Sequence, residues 1–170
     1  MRVAVTGTPG TGKTTATDLL ETDLEVIHLN EVIKSDDEAF SLGEDSERDT
    51  LVADMDAVAD WLGDRGDNIV DSHLAHQLSV DKVVVLRCHP EELEQRLTDR
   101  GEPASKAEEN AESEALDIVL SEAVERHGLD AVYEIDTTDR SPEDVARDIE
   151  RVLAGEREPS AGEVTFIDYL

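Results

Sequence analysis

The residues best suited to chemistry fall within the first fifteen positions. Gly7-Thr8-Pro9-Gly10-Thr11-Gly12-Lys13-Thr14 matches the whole G-x-x-x-x-G-K-[ST] pattern. Glycines there let backbone N–H groups converge on one point, the way a main chain grips phosphate oxygens. A helix starting near Lys13 adds the positive end of its dipole. Lys13 would set an ammonium on the outer phosphates. The Thr14 hydroxyl could coordinate Mg²⁺, and Thr15 could offer an N–H and a hydroxyl nearer the inner phosphates. An ordinary glycine turn is the plain alternative, and a full match between a strand and a helix argues against it.

A second group sits at Asp71-Ser72-His73. Asp71 ends an apolar run, and in a doubly wound sheet an acid there lies beside the phosphate loop. It could hold a water on Mg²⁺. His73 could touch the transferred phosphate or a water, or be a plain loop histidine. His73 and His76 form an H-x-x-H pair, but no cysteine pair or third ligand accompanies them to make a zinc site. Three consecutive residues cannot build a hydrolase triad, and G-x-S-x-G is absent.

Arg96 and Arg100 are four apart and share a helix face. Gly101 then permits a sharp turn, and a polar stretch leads to Lys106. This reads as a lid over about residues 99–109, able to bring guanidinium groups to a transferring phosphoryl and exclude water. A solvated helix with Glu92–Arg96 pairing is the simpler alternative. Arg48, in a polar segment, could bind an acceptor's phosphate or pair with its acidic neighbours.

Short Val/Ile-rich runs at Arg2 to Thr6, Glu25 to Leu29, Asn68 to Asp71, Lys82 to Arg87 and Ala131 to Ile135 read as strands covered on both faces. Helical patterns lie between them: Gly12 to Glu21, Thr50 to Leu62, Pro90 to Asp99, Lys106 to Arg126, and one opened by Ser141-Pro142. Alternating strands and helices predict an α/β fold with a five-stranded parallel sheet in a single domain. Ser35 to Asp49 and Gly101 to Ser105 read as mobile loops. The tail from Gly155 reads as disordered in its first half, and its apolar end could dock as a strand.

The chain has 170 residues, 43 acidic and 15 basic, for a net charge of -28, with aromatics at 3 %. The basic residues include only four lysines. Such an acidic, lysine-poor surface suits a cytoplasm rich in potassium salt, where carboxylate repulsion is screened. An acidic face made for a basic partner is the other account. The same charge argues against nucleic-acid binding by a bulk basic surface. A single cysteine, Cys88, excludes an internal disulfide. Neither a signal peptide nor a run of membrane-spanning length is evident, so a soluble cytoplasmic protein is expected.

The phosphate loop, Asp71-Ser72-His73 and Arg100-Gly101…Lys106…Glu109-Asn110…Glu114 together resemble one group. It is the archaeal and eukaryotic nuclear-type adenylate kinases, a branch of the nucleoside monophosphate kinases. The resemblance spans about residues 1–155. It implies a P-loop fold that transfers phosphoryl from ATP to AMP or other monophosphates, with Mg²⁺, and an ATPase activity. It also implies a part in late small-subunit ribosome maturation, through binding the platform ribosomal protein uS11. By the same resemblance Gly10, Gly12, Lys13, Thr14 and Thr15 bind ATP, and Arg100 reaches the nucleotide. Thr137, with Thr138, lies where adenine is held. The monophosphate segment covers about His28 to Leu51, with His28 and Arg48 as its candidates. Two features depart from the family. Glu102 stands where family lids often carry an aromatic, and Phe40 is the one aromatic of the monophosphate segment.

Three functions compete. A monophosphate kinase needs no strong general base. An ATP-driven assembly factor would use nucleotide state to switch its grip on a basic ribosomal protein. A small-metabolite kinase such as shikimate kinase should show D-x-D after the second strand and a triple glycine after the third. Asn30-Glu31 and Asp71-Ser72-His73 stand there instead.

Overall fold

A computed structural model describes residues 1–45 and 50–170. Strands β1 (Arg2–Thr6), β2 (Glu25–His28), β5 (Asn68–Asp71), β6 (Lys82–Arg87) and β7 (Val132–Asp136) form one sheet, ordered β2-β5-β1-β6-β7. Every pairing in it is parallel. This is the expected α/β architecture. It follows from strands whose two faces are both apolar. Val3, Val5, Val84 and Leu86 pack with Ala16, Val145, Ile149 and Val152, whereas Ala4, Val83 and Val85 pack with Val58, Leu62, Leu120 and Ala123. The strands' period of two thus divides each one between two helical layers. The first layer holds α1 (Lys13–Thr17) and α8 (Pro142–Leu153). The second holds α4 (Met55–Leu62) and α7 (Ile118–His127).

Between β2 and α4 the chain is more ordered than its polarity suggests. Helices α2 (Leu29–Ser35) and α3 (Asp37–Phe40) lead into β3 (Ser41–Asp45), which pairs antiparallel with β4 (Thr50–Ala53). The expected loop over Ser35 to Asp49 is therefore corrected for residues 35–45, and residues 46–49, Arg48 among them, lie outside the described residues. The expected helix from Thr50 is also too long. Asp54 accepts from the Ala57 N–H at 3.1 Å and starts α4 at Met55, which leaves β-branched Thr50 and Val52 to a strand.

Two more helices differ from their sequence patterns. The expected span from Lys106 to Arg126 is two helices, α6 (Ala104–Ala115) and α7. Asp117 breaks it with φ 56°, held by the Arg87 guanidinium at 2.5 Å, and Leu116 is left exposed. Helix α1 keeps regular bonds only to Thr17 and ends in tight turns, Leu19 N–H to Ala16 O and Leu20 N–H to Thr17 O. The tail is no strand. It turns along the outer edge of β7, with Ser160 and Phe166 buried. No described helix is long and apolar enough to cross a membrane.

Candidate active site

Parallel strands place β1 in the centre of the sheet, and the loop from Gly7 to Thr14 lies beyond its carboxyl end, where ligands of such sheets sit. Gly10 has φ +94°, and a Cβ there would stand 2.8 Å from Leu93 Cδ1. Both facts demand glycine, because α5 (Pro90–Asp99) packs directly on the loop. Lys13 Nζ donates to Gly7 O at 2.9 Å and Thr8 O at 3.1 Å, so the loop's own carbonyls hold the ammonium. Burial brings its pKa down to about 8 against the attraction of Asp71 and Glu114, and Arg100 lowers it further. Thr14 and Thr15 are exposed at the start of α1.

Register puts the second group beside this loop. Val5 of β1 pairs with Asp71 of β5, and His28 of β2 pairs with Asp71 on the other side. One carboxylate oxygen of Asp71 accepts from the Thr17 hydroxyl at 2.5 Å and lies 2.7 Å from His28 Nδ1. His28 Nε2 lies 2.8 Å from Asp18 Oδ1. Burial disfavours the charged imidazole, but the hydrogen bonds and charges of Asp71 and Asp18 outweigh it and raise the His28 pKa. His28, expected on the acceptor nucleotide, is thus bonded to Asp71 and Asp18. Ser72 donates to Asn30 Oδ1, on α2, at 2.9 Å.

Burial, then the nearby charges of Lys13 and His76, takes His73 down to about 4. Its imidazole is neutral at physiological pH. His76 turns away to Thr6 Oγ1 at 2.8 Å and Glu122 Oε2 at 2.7 Å, so the H-x-x-H pair does not converge. Unfolded chains protonate histidine near 6.5, so between about pH 6.5 and 4 the unfolded state binds the extra proton. The His73 contribution to stability therefore falls as pH drops through that window. Replacing His73 by Asn should flatten the decline of melting temperature between pH 6.5 and 4.5. Parallel curves for the two proteins would remove this account. His28 works in the opposite sense: its contribution is present at low pH and lost as pH rises through its raised pKa.

On the other side of the loop a cleft of about 480 Å³ is lined by Gly10, Thr15, Arg100, Thr137, Arg140 and Val145. That volume suits a nucleoside with phosphates. Arg96 of α5 and Arg100, its C-cap, both line the cleft but differ in what holds them. Arg96 donates to Gly10 O at 3.3 Å and Thr137 O at 3.2 Å and pairs with Glu92 at 2.9 Å, so it fixes the loop. Arg100 is more than half exposed at the helix end, 3.7 Å from Glu102. Gly101, at φ +89°, turns the chain within a few residues into α6, which replaces the expected mobile stretch. Thr137 uses its hydroxyl on Arg87 O at 2.8 Å, so it offers the cleft a wall more than a donor. Arg140 was not singled out by the sequence reading. It is held by Asp148 at 2.8 Å, and its place just before the Ser141 cap is the only signal that pointed to it.

Thr8 of the loop also donates to Glu114 at 3.3 Å. Glu114 accepts from Arg87 Nε at 3.1 Å and the Cys88 N–H at 2.9 Å, and all of these groups are buried. Glu114 was named only among the residues of the resemblance, and the apolar pattern alone did not pair it with Arg87, which lies 27 residues away.

The comparisons fit this geometry. Residues 3–117 match the model of an AAA domain family. Over their whole lengths, this chain and a protein of Natronomonas pharaonis named "Putative adenylate kinase" are 61 % identical. A protein of the same name from Halobacterium salinarum is 60 % identical, again with all of both chains covered. The chain belongs to this adenylate kinase family. A namesake in Methanothermobacter thermautotrophicus is 45 % identical, covering 99 % of this chain and 98 % of its own. Within the family frame, the loop, Asp71, His73 and Arg100 are the groups gathered at the carboxyl edge of the sheet.

Proposed function

We propose that this chain is a nucleoside monophosphate kinase of adenylate kinase type, moving the γ-phosphoryl of ATP to AMP or another monophosphate. The observation that carries this reading is the shared edge of one phosphate loop. The cleft with Arg100, Thr137 and Arg140 lies on one side of it, and Asp71, His73 and the α2–β4 segment lie on the other. A donor's adenosine would fill the cleft while its phosphates lie on Gly10, Gly12, Lys13, Thr14 and Thr15. An acceptor would enter from the side of β2 and α2, where Arg48 remains a candidate.

In the transfer, an oxygen of the acceptor's phosphate forms a bond to the γ-phosphorus. The bond from that phosphorus to the β–γ bridging oxygen breaks, and ADP leaves with the electron pair. The attacking phosphate is already anionic, so no strong base is needed, and a neutral His73 suits that chemistry. Lys13 and Arg100, which lines the cleft, would stabilise charge on the equatorial oxygens. The Thr14 hydroxyl and the Asp71 carboxylate are hard oxygen donors beside the loop and fit Mg²⁺, Asp71 through a water. Bound there, the ion would neutralise charge between the outer phosphates.

The balance of kinase and hydrolase work is the open partner of this reading. A net charge of -28 favours a basic partner as well as concentrated salt. It supports a second role, as an ATP-hydrolysing assembly factor of nuclear-type relatives acting on uS11 in small-subunit maturation. ADP release in concentrated KCl with Mg²⁺ and ATP separates the two. Fast production only when AMP is added supports the kinase, and equal rates without AMP defeat it. Arg100→Ala should lower kcat about a hundredfold or more, by analogy with removal of one transition-state donor. The melting temperature should hold, because the side chain is exposed. Loss of folding with turnover per folded molecule intact would remove Arg100 from the reaction.

A further inference from the structure

We propose that the C-terminal segment is a strap coupled to the phosphate loop, so that docking of the strap and binding of a triphosphate favour one another. The inference rests on the loop being a triphosphate site. Of residues 155–170 only Ser160 and Phe166 are buried, and Ile167 and Leu170 are mostly exposed. The strap is therefore held at a few points, and its release is a small event rather than an unfolding of the core.

Those points lead to the loop by two routes. Along the first, the Phe166 ring meets His89 edge to face, with centroids 5.4 Å apart, and the Tyr169 hydroxyl donates to Glu94 at 3.2 Å. His89 caps α5 and Glu94 lies on it. The same helix sets Leu93 and Leu97 against Gly10 and Arg96 on the Gly10 carbonyl. Along the second, the buried Glu134 carboxylate accepts from the N–H groups of Gly162 and Val164, the latter at 3.1 Å. Glu134 lies 3.5 Å from Arg87, Arg87 binds Glu114, and Glu114 accepts from Thr8. The Arg87 guanidinium also stands over the Phe166 ring at 5.3 Å.

The strap thus bears on the loop at Thr8 and at Gly10, through the buried Leu93 and Leu97 on one route and the buried Arg87, Glu114 and Glu134 on the other. A mere cover for the sheet edge would change stability and leave nucleotide affinity alone. A coupled strap must change affinity, and linkage makes the effect reciprocal. The decisive measurements use the full chain in concentrated KCl with Mg²⁺ and a non-hydrolysable ATP analogue. Hydrogen exchange at the Gly162 and Val164 amides reads docking, and calorimetric titration reads affinity. The analogue should slow exchange at Gly162 and Val164, and Phe166→Ala should weaken analogue binding about tenfold. Val164→Pro removes a strap donor without touching α5, and it carries the same test should Phe166→Ala prove too unstable to titrate. Variants that release the strap yet bind as tightly as the parent overturn the coupling. A parent chain that binds no analogue removes the reading of the loop, and the strap with it.

Discussion

Lys13→Ala should lower phosphoryl transfer about a thousandfold or more and leave the melting temperature unchanged or slightly raised. The first half follows from what the ammonium touches. Without nucleotide it rests on the Gly7 and Thr8 carbonyls, at the point where outer phosphate oxygens would arrive. Arg100, the other cation near this site, lines the cleft and is more than half exposed, so it does not take over the position held by the loop's carbonyls. The second half follows from linkage. The unfolded lysine is protonated up to about 10.4, the folded one only up to about 8. Between those values the unfolded state holds the extra proton, so the ammonium lowers stability at neutral pH. Turnover and unfolding curves measured on one preparation check both halves. Retained turnover would end the assignment of the phosphate loop, and a large fall in melting temperature would end the linkage argument.

Arg87→Met should cost about 3–5 kcal/mol, or about 10 °C in melting temperature. Arg87 is fully buried, with three carboxylates around it: Glu114 at 3.1 Å, Asp117 at 2.5 Å and Glu134 at 3.5 Å. One guanidinium cannot neutralise three acids. Burial already raises the pKa of Glu114 and Glu134, with Arg87 pulling each back down. Without the arginine both would rise further. A carboxyl whose folded pKa lies above its unfolded value loses stability as pH climbs through the folded one. The deficit of the variant should therefore grow between pH 5 and pH 8. Thermal melts of both proteins across that range test it. A deficit independent of pH would mean that lost packing, rather than stranded charge, is what the arginine prevents. Among the described residues Nη1 of Arg87 has no hydrogen-bond partner and lies 3.5 Å from a Glu134 oxygen, which fits a site where ion pairing leads.

Much of this fold was legible because apolar periodicity reports burial. All five sheet strands and the helix from Pro90 to Asp99 fall within a residue of their patterns. Two of the misread helices share a cause: a local polar residue overrode the period. Asp54 capped a helix inside a continuous apolar stripe, and Asp117 broke another because Arg87 needed a carboxylate there. Neither choice is visible without knowing what lies opposite. The phosphate loop was legible for a different reason, since its glycines answer to backbone geometry contained within eight residues. His28 was harder. The resemblance placed it at the acceptor, yet as the last residue of β2 it is brought by sheet register against Asp71, a partner 43 residues away. Arg140, Glu114 and the strap depend on such distant pairings throughout.

The outer edge of β7 has one more consequence. An uncovered parallel edge strand offers unpaired amides and carbonyls to any neighbouring molecule, and strong salt makes apolar faces stick harder. Here Val132 O accepts from Ser160, the Glu134 N–H donates to the Ser160 hydroxyl at 3.0 Å, and Glu134 O accepts from Arg157 at 3.0 Å. These three groups, on Val132 and Glu134 of the edge strand, are thus occupied from within and withdrawn from any neighbouring strand.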